Sequence, residues 1–344
     1  MSSDAPSEFL SCDWGTTSFR LRWLKTSGEE IRWETRCDTG VRAVYERASA
    51  HGHESPLARA AYFEAELTQH LDRFAAACAG FQSGLPLVIS GMASSTVGWK
   101  ELRYATLPFP LDGSGMVWER IPWQSPRWLG PTFILSGAAN AADMMRGEET
   151  ELMGLMNRSD WAIPEAGCWV ILPGTHSKHV RVESGKVVGL RTFMTGELFE
   201  VLKRHSLLKA TLPAHGIGSG QGDAPLTTEA EEQFLQGVDT ACEFGVVAGL
   251  FRVRTRVVLG GAEVGLNDWF LSGLLIGGEL MELDREGVGC VLLGGAGVLH
   301  RLYGLAFARL DLDEVRCVSF PEPVVRTAGS LGQAFLLRHG VLKS

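Results

Sequence analysis

The sequence predicts an α/β protein built from two related halves. Three observations carry this expectation. At 344 residues with 45% hydrophobic and 21% charged content, the chain holds enough apolar material for two cores of ordinary size. Short alternating runs that read as strands recur between longer runs with helical spacing, the pattern of a mixed α/β layer. And one strand-turn-strand element occurs twice. Asp13 through Trp23 (DWGTTSFRLRW) lines up with Leu172 through Val182 (LPGTHSKHVRV) so that a Gly, a Thr, a Ser and an Arg coincide.

The elements follow in order. Phe19, Leu21 and Trp23 alternate with Arg20 and Arg22, a half-buried strand that leaves the first turn. Residues 31–44 read as a further strand and a loop around Asp38-Thr39-Gly40-Val41-Arg42. Phe63, Leu67, Leu71 and Phe74 recur at intervals of three and four, so 58–79 is expected as an amphipathic helix packed on a core. Residues 85–90 (LPLVIS) form a short buried strand, and 108–131, rich in Pro, Gly and Trp, an irregular excursion. A strand at 133–136 precedes a helical region at 140–156, interrupted at Arg146-Gly147.

From Cys168 the second half opens with its own hairpin, then a strand at 187–193 and a helix from Thr195 through Leu208. Thr195 is the expected N-cap, with Leu198, Val201, Leu202 and His205 as the inward stripe. Residues 210–228 concentrate Gly, Pro and Ser and read as a loop. Helices near 229–251 and 268–285 lead to a strand at 289–293 and the turn Gly294-Gly295-Ala296-Gly297. A last strand at 315–320 and a helix at 326–337 close the chain. The division expected is 1–165 and 166–325, with 326–344 free to pack back on the first domain.

Composition bounds the function. The formal net charge is −8, from 32 basic and 40 acidic residues, so no general affinity for nucleic acid or anionic membrane is expected. An anionic substrate then needs local positive charge, for which Arg20, Arg22, Lys100, Arg146 and Lys178 are candidates. Seven widely spaced cysteines without a C-x-x-C pair, and a polar, acidic start at 1–8, point to a reduced protein of the cytoplasm. No apolar run approaches the roughly 20 residues of a membrane span.

The two hairpins carry the chemistry. Gly15, Thr16 and Thr17 in the first, and Gly174, Thr175 and Ser177 in the second, offer amides and hydroxyls to phosphate oxygens. Asp13 adds a hard oxygen ligand for Mg²⁺, and its place in the second copy is taken by Leu172. Lys178 adds a cation, where Phe19 stands in the first copy. Both turns have a purely conformational reading as well, since Gly and Thr are ordinary turn residues. At the end of a buried strand, Gly91 to Lys100 brings Ser94, Ser95, Trp99 and Lys100, which suit a small polar sugar acid or a surface turn with a packed Trp. Glu148 and Glu149 stand at a helix start, where carboxylates are stabilised by the helix dipole in any protein.

Several blocks carry a resemblance: Ser90-Gly91-Met92 through Lys100, Met145-Arg146-Gly147-Glu148-Glu149-Thr150-Glu151, Pro173 through Lys178, Met194-Thr195-Gly196-Glu197-Leu198 and Phe270 through Gly277. Together they resemble the 2-dehydro-3-deoxygalactonokinase family, of the superfamily joining acetate and sugar kinases, the heat-shock chaperone ATPases and actin. The resemblance implies two ribonuclease-H-like (actin/hexokinase-type) domains with mixed sheets flanked by helices around a central cleft. It implies ATP and Mg²⁺ as cofactors and transfer of a phosphoryl group to the 6-hydroxyl of 2-dehydro-3-deoxy-D-galactonate. Asp13 would hold the metal, and Gly15, Thr16, Thr17, Gly174, Thr175 and Ser177 the phosphates. Gly294, Gly295 and Ala296 would border the adenosine. Lys178 would neutralise the transferred group, and Glu149, ahead of Glu148, would orient or deprotonate the acceptor. Ser94, Ser95, Trp99, Lys100, Arg146 and Glu197 would line the sugar-acid side. Superfamily hexose kinases carry Asp where this chain has Glu.

Other classes find less support. Counting from Gly295 and Gly297 puts His300 where the dinucleotide fingerprint needs a third Gly, and neither G-x-x-x-x-G-K-[ST] nor G-x-S-x-G occurs. The remaining alternatives are a kinase for 2-dehydro-3-deoxygluconate or another sugar acid, and a non-catalytic nucleotide switch or sugar sensor of the same fold. Oligomeric state is left open.

Overall fold

The computed structural model describes residues 6–158 apart from 29, 79, 81 and 127, then 167–214, 217, 226–283, 289–310 and 316–342. The chain forms two compact units, Met1–Ala162 with Gly185–Val188 and Thr327–Ser344, and Ile163–Ser184 with Gly189–Arg326. The expected boundary at 165/166, and most of the loop expected at 210–228, lie outside the described residues.

In the first unit, β1 (Glu8–Trp14), β2 (Phe19–Lys25) and β3 (Ile31–Cys37) form an antiparallel meander. It is followed by α1 (Val41–Ala50), α2 (Pro56–Ala77) and β4 (Leu87–Gly91). Then come β5 (Ala105–Thr106), β6 (Phe109–Pro110), β7 (Trp118–Ile121), β8 (Thr132–Leu135), β9 (Ala138–Ala139), β10 (Met144–Met145) and α3 (Glu148–Met156). The main sheet has the order β3-β2-β1-β4-β8-β7, with β4 parallel to both β1 and β8. A small sheet orders β10-β9-β5.

The period-2 pattern of β2 and the helical spacing of α2 meet in one core. Leu10, Cys12 and Trp14 on β1 and Phe19, Leu21 and Trp23 on β2 pack against Phe63, Leu67, Leu71 and Phe74. Each such side chain stabilises the unit by about 1.5–3 kcal/mol. Ser55 starts α2, its side chain accepting from Ala58 N, with Pro56 at the first helical position.

In the second unit, β11 (Cys168–Leu172), β12 (Ser177–Glu183) and β13 (Lys186–Phe193) repeat the meander. The hairpin tip Gly185–Val188 counts with the first unit, where Lys186 and Val187 pair with Pro110 and Phe109. Then follow α4 (Thr195–His205), α5 (Thr228–Val258), α6 (Asn267–Met281), β14 (Cys290–Leu293), α7 (Gly297–Arg309), β15 (Arg316–Ser319) and α8 (Glu322–Arg338). Its strands order β15-β14-β11-β12-β13, and β14 is parallel to both β11 and β15. Strand for strand this matches β8-β4-β1-β2-β3. Both units are therefore ribonuclease-H-like, as expected of the fold class. From Thr327 onward α8 belongs to the first unit, where Ser330 Oγ meets Ser11 Oγ at 2.8 Å and Gln333 donates to Cys12 O and Ser90 Oγ.

Several expected elements are corrected. Residues 140–147 are not helical, because the Asn140 side chain takes the Ala142 and Asp143 amides in a local turn that competes with helix formation. Residues 41–44, expected as loop, begin α1. Thr195 is not the N-cap of α4; Met194 is, and the Thr195 hydroxyl bonds Glu279 instead. Of the stripe expected to face inward on α4 only Leu202 packs against a core; Leu198 and Val201 are 44% and 45% exposed, and His205 is exposed.

The α5 stretch is two helices. Gly245 (φ 71°, ψ 167°) reverses the chain, a backbone state that favours Gly. The arms then run side by side, and Arg256 Nη2 reaches Gln236 Oε1 at 2.9 Å, twenty residues back. By length and composition Thr228–Val258 would suffice to cross a membrane. Neither arm, 228–244 or 246–258, has the roughly 20 residues that a span needs.

Candidate active site

Both hairpin turns are braced by the start of the helix that follows the meander. In the first unit Gly15 N donates to Ser18 O at 2.9 Å, closing the turn, while Val41 N and Arg42 N donate to Gly15 O and Thr16 O. Gly40 is in such close contact that a Cβ there would lie 2.4 Å from Thr16 O. In the second unit Glu197 N donates to Thr175 O at 3.0 Å, and a Cβ on Gly196 would lie 2.7 Å from Gly174 O. The dipeptides Thr39-Gly40 and Thr195-Gly196 mark this device in the sequence. Their recurrence extends the repeat beyond the hairpin, a signal the strand-turn-strand alignment misses.

The register corrects one detail of that alignment. Asp13 pairs with Arg20 across β1 and β2, whereas Leu172 pairs with Lys178 across β11 and β12. The second turn is one residue shorter, so Lys178 occupies the place of Arg20 rather than that of Phe19.

The first unit gathers an acidic cluster around the end of β1. Asp13 is half-buried; burial raises its pKa, the Arg20 and Arg22 guanidinium groups oppose this, and Glu148 adds to the rise. Gly91 and Gly147 have φ of +91° and +109°, and they bring the end of β4 and the start of α3 together beside it. A Cβ on Gly91 would lie 3.4 Å from Asp13 Oδ1, and one on Gly147 3.4 Å from Gly91 Cα.

On α3 the acidic residues differ. Glu149 is fully buried; its Oε2 accepts from Gly147 N at 2.8 Å and its Oε1 from Thr150 Oγ1 at 2.9 Å. Burial, then the Glu148 charge, pushes its carboxyl up to about 7. Glu151 is pushed to about 8 by burial, then by Asp13, Glu148 and Glu149. Glu148 is only part-buried, and its Oε2 accepts from Arg146 N at 2.8 Å.

Arg146 is held in place. Its Nη1 donates to Ser94 O at 2.7 Å and Ser94 Oγ at 2.6 Å, its Nε lies 3.3 Å from Tyr104 OH, and its Cζ stands 4.1 Å from the Tyr104 ring centroid. Ser95 is buried beside Ser94. Lys100 is paired instead with Glu119 at 3.0 Å. Trp99 is 3% exposed and packs edge-on against Trp123 in the core, so it does not present an aromatic plate.

In the second unit Thr175 is exposed, and a Cβ on Gly174 would meet nothing within 4 Å, so open space adjoins the turn. Gly294 N donates to Ile171 O, Gly295 (φ +124°) rests against Pro173, and Ala296 is the N-cap residue of α7. The glycine turn thus adjoins the hairpin turn. Lys178 is buried with Nζ 2.9 Å from His176 O, and Glu197 pairs with His176 at 2.5 Å. Ser177 is fully buried and turned inward, its hydroxyl donating to Glu279 Oε1 at 2.7 Å.

Two ribonuclease-H-like units, each with a braced glycine-threonine hairpin and one with an acidic cluster at its strand end, place the chain in the actin/hexokinase-type fold class. The family model of 2-keto-3-deoxy-galactonokinase matches residues 13–322, and the chain belongs to that family. A protein of Rhizobium meliloti (strain 1021) assigned as 2-dehydro-3-deoxygalactonokinase DgoK1 is 34% identical over 321 residues, 89% of this chain and 93% of that one. The 2-dehydro-3-deoxygalactonokinase of Escherichia coli (strain K12) is 30% identical over 310 residues, 89% and 91%. A crystal structure assigned to the same activity, from Sinorhizobium meliloti, superposes with a TM-score of 0.72 at 27% identity, covering 98% of this chain and 100% of that one. The chain is thus a sugar kinase that uses ATP.

Proposed function

We propose that the enzyme transfers the γ-phosphoryl group of ATP to the 6-hydroxyl of 2-dehydro-3-deoxy-D-galactonate, giving the 6-phosphate, in galactonate breakdown in the cytoplasm. The observation that carries the reading is the convergence of Asp13, Arg146 and the Glu148-Glu149 turn on one corner of the first unit. Family membership supports the choice of substrate. The cysteines are all unbridged, as a reducing compartment requires.

Each group has a role its surroundings support. Arg146, fixed by Ser94 and Tyr104, pairs with the substrate carboxylate in preference to Lys100, which Glu119 already engages. Of the two carboxylates at the start of α3, Glu148 is the one that solvent reaches, so it orients or accepts the proton of the acceptor hydroxyl. Glu149, expected in that role, is buried behind it with both oxygens engaged. The amides and hydroxyls of Thr16-Thr17 and Gly174-Thr175 hold phosphate oxygens, with Gly15, whose own amide is taken by Ser18 O, letting the phosphate approach the first turn, and Gly294, Gly295 and Ala296 border the adenosine. Lys178 supplies positive charge beneath the second turn. Phosphoryl transfer needs chiefly positioning and charge stabilisation, and these residues provide both.

Asp13 is suited to Mg²⁺, which binds through one or two carboxylates together with substrate phosphates and water. Bound there, the ion would neutralise charge on the phosphate oxygens.

The test is coupled ADP release with ATP·Mg²⁺ and a panel of 2-dehydro-3-deoxygalactonate, 2-dehydro-3-deoxygluconate, galactonate, gluconate and glycerol. The first should be strongly preferred. Preference for another acceptor moves the substrate. ATP binding without turnover on any acceptor refutes the reading.

A further inference from the structure

Glu279, on α6, is 4% exposed, and none of the roles above uses it. Its Oε1 takes Ser177 Oγ at 2.7 Å and His179 Nε2 at 2.9 Å; its Oε2 takes the Tyr303 hydroxyl at 2.8 Å and the Thr195 hydroxyl. A carboxylate offers about four acceptor sites, and all are filled by donors. Since a carboxylate only accepts, His179 carries its proton on Nε2. The donors come from β12, from α7 and from the first turn of α4.

Two of these donors lead to the second hairpin. Ser177 is the first residue of the strand that leaves it. Thr195 precedes Gly196 and Glu197, the residues that abut Gly174 O and donate to Thr175 O. One buried carboxylate therefore anchors both the exit of the turn and the helix start that braces it. Among the described residues the first hairpin shows no such carboxylate: its turn is braced by Val41 and Arg42 amides, and Phe19 follows it as an apolar core residue.

We propose that Glu279 is a positioning residue for nucleotide binding, holding the 173–177 turn in the shape that receives ATP phosphates. It acts through Ser177 and Thr195 rather than by touching the nucleotide. The inference rests on the reading of that turn as a phosphate cradle. Amide donors select phosphate by direction as well as distance, and misplacement by about 1 Å costs on the order of 10²-fold in reactions that depend on positioning.

The experiment compares Glu279→Gln, Thr195→Val and Thr195→Ser by kcat, KM for ATP, KM for the sugar acid, and thermal midpoint. Glu279→Gln puts an amide N–H against hydroxyl donors, and Thr195→Val removes one donor while keeping the shape. Both should raise KM for ATP about tenfold or more while KM for the sugar acid stays within about twofold, and Thr195→Ser should restore most of the loss. Lowered midpoints in both variants with KM for ATP within about twofold of wild type would make Glu279 merely structural and overturn the proposal. If Glu279→Gln does not fold, Thr195→Val decides alone. Gly174→Ala separates the proposal from its premise: its Cβ enters only open space at the turn, so an unchanged KM for ATP there shows that the turn is not the cradle, whatever Glu279 does.

Discussion

Glu149→Gln should change how stability depends on pH. In the folded protein the carboxyl titrates near 7, against an ordinary value of 4.5. The folded state therefore keeps a proton that the unfolded chain has already released between those values. Stability falls as pH rises through that window and levels off above about 7, because the slope follows the difference in bound protons. At 1.36 kcal/mol per pH unit between 4.5 and about 7, the full loss is about 3 kcal/mol. No discount for solvent applies, since Glu149 is 0% exposed. Gln has nearly the same shape and no such slope, while its amide meets the Gly147 N–H less well, a constant offset. The difference in stability between variant and wild type should thus move in favour of Gln by about 2–3 kcal/mol from pH 5 to pH 8, the window having opened already at 4.5. For domains of this size that is a widening of about 5–10 °C in thermal midpoint. Thermal scans of both ligand-free proteins across that range measure it. Midpoint curves that stay parallel would refute the reasoning that burial and Glu148 hold this carboxyl protonated.

Asp13→Asn should lower kcat by about 10²-fold or more with an unchanged thermal midpoint, read by coupled ADP release at saturating substrates; near-normal turnover removes Asp13 from the mechanism. Glu148→Gln should cost about 10²–10⁴ in kcat, and Glu149→Gln clearly less. The reverse order returns the role to Glu149. Arg146→Lys cannot keep both Ser94 bonds and the Tyr104 stack, so KM for the sugar acid should rise about tenfold with KM for ATP unchanged. Gly40→Ala forces a Cβ to within 2.4 Å of Thr16 O and should destabilise the first unit by about 1–3 kcal/mol, seen as a lower midpoint.

Local chemistry made much of this protein legible in its sequence. The period of 2 in β2 and of 3.6 in α2 reflects which residues share a face, and that is set within a few residues. The Gly-Thr hairpin is a local motif too, so its recurrence, and with it the two-halved α/β class, could be read directly, while the family showed in the resemblance of blocks such as Arg146 to Glu151 and Pro173 to Lys178. Tertiary structure decided what depends on distant partners. Ser177 lies at the turn proposed to hold phosphate, yet Glu279, 102 residues later, turns its hydroxyl inward. Trp99 joins a core completed by Trp123, and the register across β11 and β12 moves Lys178 by one place. The reversal at Gly245 hides within a continuous apolar helical pattern, because the arms bury their faces against α6 and each other. Glu148 and Glu149 are neighbours of identical type. Only the packing of α3 sends one carboxylate into the interior, with its proton held up to about 7, and leaves the other where solvent reaches it.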